Sequence, residues 1–553
     1  MKARRSPDTA FRRRNANNQE TRVTLPSSLR MSALCLAALG GAAQAQNIGS
    51  FRDSAQSASR YAEASLAATG DCARLGQQVS SVEGTRLTVL SATATPAAQG
   101  VPDFCRIVAM LDPEVLVEVA LPMRWNGRLY MRGNGGYAGE RIDAPSRVAL
   151  RDEALKRGFV AAQTNTGHDA IAQPLGSFAQ NDLAKLVDYS FRAVHLTAQA
   201  SKDLAAAFYG RKPAKSYFDG CSTGGRQGLM SAQRYPADFD GIAAGAPVLN
   251  FTGTMYDYVS YAPLIAKAGF TGAQLSQIGR AIVAKCDAVD GLKDGVIADP
   301  RRCVIDPRAD FPGLSEAQVA ALEAVHRDMQ HQGKAVFPAW PWGSEAPDAS
   351  GISGWAEWFV SMPRAPAATS GAQALPGGET RQSAYAQTFL RYFADQPASR
   401  PDADWRSFDL DQGFRATGFI STLVDARNPD LSAFAARGGK MITYHGWADP
   451  ALNPMMSVGY HEEAARATPK LDDTYRVFMV PGMQHCNGGD APNVLDAVTA
   501  VIDWTETGRA PAALLVTQRR ADGSERSRPV CAYPKVAQYL GGDADKAASF
   551  ACR

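Results

Sequence analysis

The 553-residue chain has no excess of either charge: 58 Lys and Arg stand against 55 Asp and Glu, for a formal net charge of +3. That balance lacks the basic signature of a nucleic-acid partner. The one basic cluster, Lys2 to Arg30, precedes an apolar leader and need not belong to the mature protein. No repeat of fixed period is present, which argues against propellers. The cysteines show no repeated C-x-x-C spacing, which argues against a thiol-built zinc site. Beyond the leader no apolar run qualifies as a transmembrane span, so no membrane partner is expected after leader removal.

What is present points to export. The stretch from Met31 to Ala45 is apolar and ends in Ala43-Gln44-Ala45, an Ala-x-Ala cleavage pattern. It is too short to stay in a bilayer, so cleavage after Ala45 is expected, with Met31 as an alternative start to Met1 and a periplasmic or secreted product. Of nine cysteines, Cys35 leaves with the leader. The remaining even set suits an oxidising compartment. A hydrophobic content of 45% is ample for a large core.

The chemistry begins at Gly220-Cys221-Ser222-Thr223-Gly224-Gly225, a G-x-S-x-G frame. Lys215 to Asp219 reads as a strand entering it, and Arg226 to Arg234 as a helix leaving it. That order is what a nucleophile elbow requires, with the serine hydroxyl exposed above a sheet. The acid and the base should follow on loops after later strands. Lys440 to Tyr444 opens into His445-Gly446-Trp447-Ala448-Asp449, and Tyr475 to Val480 opens into Pro481-Gly482-Met483-Gln484-His485-Cys486. Ser222, Asp449 and His485 are therefore the candidate nucleophile, acid and base. An oxyanion needs two further donors: the Thr223 N–H, and one from the glycine-rich loop Gly133-Asn134-Gly135-Gly136 after an early strand.

These motifs resemble the tannase and feruloyl esterase family of α/β-hydrolases, over most of the chain after the leader. That family also includes the hydrolase of mono(2-hydroxyethyl) terephthalate. The resemblance implies a bond between Cys221 and Cys486, which flank the serine and the histidine. With the order of the remaining cysteines it suggests Cys72 with Cys105, Cys286 with Cys303 and Cys531 with Cys552. It also selects Gly136 as the second oxyanion donor, with Gly135 as the alternative.

Between Cys286 and Cys303 lies Asp287-Ala288-Val289-Asp290-Gly291-Leu292-Lys293-Asp294-Gly295-Val296. Read from its residues, this is an acidic turn that is either solvated or wrapped around a hard cation, and its spacing is not that of an EF-hand. The family resemblance implies structural Ca2+ held by the side chains of Asp287, Asp290 and Asp294 and the carbonyls of Leu292 and Val296.

Strand-like runs at Val115–Leu121, Arg128–Met131, Phe159–Gln163, Ser216–Asp219 and Gly241–Ala244 alternate with helical stretches such as Leu186–Phe208. This predicts a largely parallel sheet. Sheet patterning stops near Phe251 and resumes near Gly439, so the expected organisation is a leader (1–45), a first α/β-hydrolase part (46–250), an inserted lid carrying the acidic loop (251–438) and a second hydrolase part (439–553). In the lid, Trp358, Arg381 and Tyr385 resemble residues that grip the aromatic acid in the terephthalate-ester enzyme. Pro363 to Thr380 is longer than that enzyme's pattern, and the alternative is that the tryptophans are lid core and Arg381 an exposed charge. His445, four residues before Asp449 on the same loop, either borders the pocket or simply packs. His168 is a weaker rival for a site role, and His326, His331 and His461 read as helix-surface residues. The functional expectation is an exported serine esterase acting on small aromatic esters of the feruloyl or galloyl type, or on a terephthalate half-ester. The other classes weighed are a serine peptidase and a non-catalytic binding module.

Overall fold

The computed structural model describes residues 49–347, 353–360 and 380–553. The leader with its cleavage site, and nearly all of the long stretch after Pro363, lie outside the described residues. Ten strands form the main sheet: β1 (Ser81–Val82), β2 (Thr85–Thr95), β3 (Phe104–Leu111), β4 (Val115–Pro122), β5 (Arg128–Arg132), β6 (Val160–Thr164), β7 (Lys215–Cys221), β8 (Gly241–Gly245), β9 (Lys440–Gly446) and β10 (Tyr475–Val480). Their spatial order is β10-β9-β8-β7-β5-β6-β4-β3-β2-β1. From β10 to β6 every pairing is parallel, and from β6 outward every pairing is antiparallel.

The sequence accounts for this division. Val160-Ala161-Ala162-Gln163-Thr164 and Gly241-Ile242-Ala243-Ala244-Gly245 are buried at every position, as strands covered on both faces must be. β2 instead mixes in exposed residues along its length and lies toward the antiparallel edge. Because the central strands run parallel, their C-terminal ends open on one edge of the sheet. In open α/β sheets that is where ligands bind.

The expected helix over Leu186–Phe208 is interrupted. Leu183–Val187 is α-helical, Asp188–Arg192 is a π turn, and Ala193–Tyr209 resumes as helix α1. A wider turn releases carbonyls from the helical ladder. Here Arg226, fully buried on helix α2 (Thr223–Arg234), donates to the carbonyls of Ser190 (3.1 Å) and Tyr189 (3.3 Å). A buried guanidinium needs such acceptors. The propensity of residues 186–208 carries no sign of this demand, because it comes from another element.

Between β8 and β9 the chain leaves the main sheet. It forms helix α3 (Phe251–Ala268), further helices at Gly272–Cys286 and Glu316–Val325, a small hairpin (Met329–His331 with Lys334–Phe337) and helix α4 (Arg381–Tyr392). α4 packs on α3 through Tyr256 and Phe389, whose rings meet edge-on at 5.5 Å. After β10, helix Ala497–Thr507 covers the sheet, followed by two antiparallel ribbons, Ala513–Arg519 with Glu525–Cys531 and Ala537–Tyr539 with Phe550–Cys552. Four disulfides join Cys72–Cys105, Cys221–Cys486, Cys286–Cys303 and Cys531–Cys552, the pairs that the family resemblance implies. Among the described residues no helix is long and apolar enough to cross a membrane.

Candidate active site

Ser222 lies between β7 and α2, capping the helix with φ 65° and ψ −121°, a backbone conformation that a residue with a side chain rarely adopts. The flanking glycines are there for close approach. A Cβ at Gly220 would stand 2.7 Å from the backbone of Gly224, and one at Gly225 would stand 2.3 Å from the Gly245 carbonyl. No side chain fits either gap, so the G-x-S-x-G-G frame is a steric requirement of the turn. The strained serine is held by its own N–H, which donates to the Gly245 carbonyl at 3.0 Å.

His485 follows β10 and Asp449 follows β9, its parallel neighbour. The two loops are stitched together: Trp447 N–H donates to the Val480 carbonyl at 2.9 Å and Ala448 N–H to the Met483 carbonyl at 3.1 Å. This brings His485 Nδ1 to 2.8 Å from Asp449 Oδ2. Asp449 is buried, and its other oxygen accepts the N–H groups of Ala451 (2.7 Å) and Leu452 (2.9 Å). Burial acts to raise this carboxyl. The charge of His485, with hydrogen bonds from His445 and His485, outweighs burial and holds it well below the usual carboxylate range. A permanent anion at Nδ1 fixes the tautomer, leaving Nε2 as the basic nitrogen. The Cys221–Cys486 disulfide sets Cα atoms 6.0 Å apart and so makes Ser222 and His485 neighbours at the parallel-strand ends.

The oxyanion loop is also held from several sides. Gly133 N–H donates to the Asp219 carbonyl (2.8 Å) and Asn134 N–H to Gln227 Oε1 (3.0 Å). The Gly136 carbonyl accepts from the Thr223 hydroxyl and from Tyr189 Oη at 3.3 Å. With its carbonyl tied back, and with φ 51°, Gly136 has a fixed peptide orientation beside Thr223. Gln227 is a residue that sequence reading misses. Its only sequence signal is a place on α2 one turn beyond the glycine frame.

Trp358 and Tyr385 do reach this site. The Trp358 ring meets His485 edge-on at 5.4 Å, and the Tyr385 ring lies nearly parallel to Trp358 at 6.3 Å. Tyr385 Oη stands over Gly136, only 2.6 Å from where a Cβ would be. Arg381 lies over Trp358, with its guanidinium carbon 5.0 Å from the ring centroid, and pairs with Glu357 at 2.9 Å. Glu357 was not singled out from the sequence, although it adjoins Trp358.

Four histidine expectations need correction, one being His331, which lies on the strand Met329–His331 and not on a helix, with its ring stacked on Phe414 at 4.7 Å. His445 is fully buried, with Nδ1 on Ser457 Oγ (2.8 Å) and Nε2 near both the Leu452 carbonyl (3.1 Å) and Asp449 (3.3 Å). It backs the acid and does not border the pocket, because its ring is enclosed by Ser457, Leu452 and Asp449. His326 stacks on Trp342 at 3.4 Å with Nε2 3.1 Å from buried Glu345. His461 is buried as well. Neither is a surface residue, since tertiary neighbours cover helix faces whose local sequence is polar.

In the acidic loop, Asp287 accepts the N–H groups of Asp294 (3.1 Å) and Gly295 (3.0 Å), and Asp290 accepts that of Leu292 (2.9 Å). Asp294 Oδ2 is engaged by Arg526 and Arg528, while Oδ1 accepts only the Val296 N–H, at 3.1 Å. Among the described residues no three such side chains converge as a preformed metal cluster. The donor chemistry nevertheless fits a hard cation. Every candidate ligand is an oxygen, and burial followed by the negative charge of Asp294 pushes the Asp290 carboxyl up, a penalty that a bound cation relieves.

A mixed sheet with parallel central strands, a strained serine elbow, and an acid and a histidine on the following loops define an α/β-hydrolase. The family described as tannase and feruloyl esterase matches residues 98–553, and the chain belongs to it. The protein is accordingly a carboxylic ester hydrolase. It is similar to mono(2-hydroxyethyl) terephthalate hydrolase of Piscinibacter sakaiensis, at 32% identity over 84% of this chain and 87% of that one. It is also similar to feruloyl esterase B of Aspergillus niger, at 28% identity over 84% and 88%. The crystal structure of feruloyl esterase B from Aspergillus oryzae superposes with a TM-score of 0.72 at 26% identity, covering 87% of this chain and 99% of that one.

Proposed function

We propose that the protein is an exported serine esterase that cleaves esters of aromatic acids of the feruloyl or galloyl type through an acyl-enzyme. The observation that carries this reading is the 2.8 Å His485–Asp449 contact, on a loop disulfide-bonded to the residue beside Ser222. Ser222 Oγ attacks the ester carbonyl while His485 Nε2 takes its proton, and the Thr223 and Gly136 N–H groups receive the negative oxygen. Collapse breaks the bond to the alkoxide, which leaves as the alcohol with the proton from His485. Water, deprotonated by the same nitrogen, then frees the acid and restores Ser222. The Trp358 and Tyr385 rings, adjoining His485 and Gly136, supply an aromatic acyl site. Within this reading the insertion over 251–438 acts as the lid that presents them.

Two further elements belong to the proposal. Structural Ca2+ would be held by Asp287, Asp290 and Asp294 with the carbonyls of Leu292 and Val296, where it would neutralise the loop. Export would deliver the chain to an oxidising compartment, consistent with four disulfides. Initial rates on methyl ferulate, methyl gallate and a short aliphatic nitrophenyl ester test the reading. A preference for an aromatic ester that is lost in Ser222→Ala is expected. Turnover of the aliphatic ester alone would overturn the acyl-site assignment.

A further inference from the structure

The far end of this acyl site carries a second selective device. Arg381 is mostly covered, its guanidinium lies over the ring that touches His485, and its Nη2 is held by Glu357 at 2.9 Å. A guanidinium binds a carboxylate best through two parallel N–H bonds along one edge. Glu357 already occupies Nη2, which both edges involving that nitrogen require. Among the described residues Arg381 Nε is buried without a hydrogen-bond partner. The cation is therefore neutralised from within the chain.

We infer that Glu357 is a specificity-determining residue. By pairing Arg381 it selects aromatic acyl groups that end in an uncharged acceptor, such as a hydroxyl or ether oxygen, against those that end in a second carboxylate. This rests on the aromatic-ester reading above and sharpens its substrate class. A carboxylate-bearing acyl group reaching Arg381 must either displace Glu357 from its ion pair or lie beside it as a second anion on one cation. Both are unfavourable in a site largely shielded from water. An acyl group with an uncharged end leaves the pair undisturbed.

Dimethyl terephthalate and monomethyl terephthalate share an acyl ring and a leaving group, and one carries a methyl ester where the other carries a carboxylate, so kcat/KM per ester bond on the pair reads the effect of the charge. The full chain is expected to favour the neutral ester at least tenfold. Glu357→Gln, which keeps the shape and a hydrogen-bonding group but removes the charge, should narrow that ratio at least fivefold, mainly by lowering KM for the charged ester. A wild-type enzyme that hydrolyses the charged ester equally well or better overturns the inference, and this comparison needs no variant to fold. A folded Glu357→Gln protein with an unchanged ratio overturns it too. Turnover of methyl ferulate with either result above leaves the aromatic-ester reading standing. Turnover of the aliphatic ester alone, with neither terephthalate ester nor methyl ferulate cleaved, removes that reading and the inference together.

Discussion

Cys221 and Cys486 are bonded across 265 residues of chain, each immediately beside a member of the proposed triad, Ser222 and His485. Closing a loop of that length restricts the unfolded chain by on the order of 5 kcal/mol in the chain-entropy treatment. The paired substitution Cys221→Ser with Cys486→Ser should therefore lower the unfolding midpoint in urea and also reduce kcat, because the serine and histidine loops lose their tether. Equal kcat in the bonded and unbonded proteins, measured below the melting range of both, would confine the bond to stability.

Ser222→Ala removes the nucleophile from a turn whose geometry depends on its glycine neighbours. Activity should fall by about 10³-fold or more, with a melting temperature within a few degrees of the parent. Asp449→Asn should cost a comparable factor, through loss of the fixed His485 tautomer. Progress curves on methyl ferulate, read beside a thermal melt, check both.

Gly136→Ala places a methyl group 2.6 Å from Tyr385 Oη, in a backbone conformation with φ 51°. The peptide that is to meet the oxyanion should rotate or shift. The expected loss is about 10²-fold in kcat, with a smaller change in KM. An equal loss confined to KM would instead assign Gly136 to substrate binding.

His168 is buried against Phe178, with ring centroids 3.9 Å apart, and burial pushes its imidazole down to about 4 from an ordinary value of 6.5. The unfolded chain therefore binds a proton that the folded chain refuses between those values. Stability should rise with pH across that window and be lost as pH falls from about 6.5 to 4, by roughly 3 kcal/mol from this residue. His168→Gln should flatten that part of the urea-midpoint profile against pH.

If Ca2+ occupies the loop closed by Cys286 and Cys303, EDTA should lower the melting temperature by several degrees and added Ca2+ should restore it. Asp290→Asn should abolish the response. A melting temperature indifferent to chelator in the parent protein would show that Arg526 and Arg528 at Asp294 suffice to neutralise the loop.

The sequence by itself determined the elements whose signal is local. Val160–Thr164 and Gly241–Gly245 are apolar at the density that burial on both faces demands, and the Gly220–Gly225 frame is what a tight strand-to-helix turn requires sterically. Each of the three proposed triad positions likewise follows a strand legible in the sequence. Tertiary structure alone decided what distant segments impose on one another. Arg226 opens a π turn in residues 188–192, His445 is drawn inward behind Asp449, and Glu357 takes Arg381 before any ligand can. These outcomes depend on which charge or donor is buried next to which acceptor. The energy of such a group is set by neighbours tens or hundreds of residues away, which no local pattern encodes.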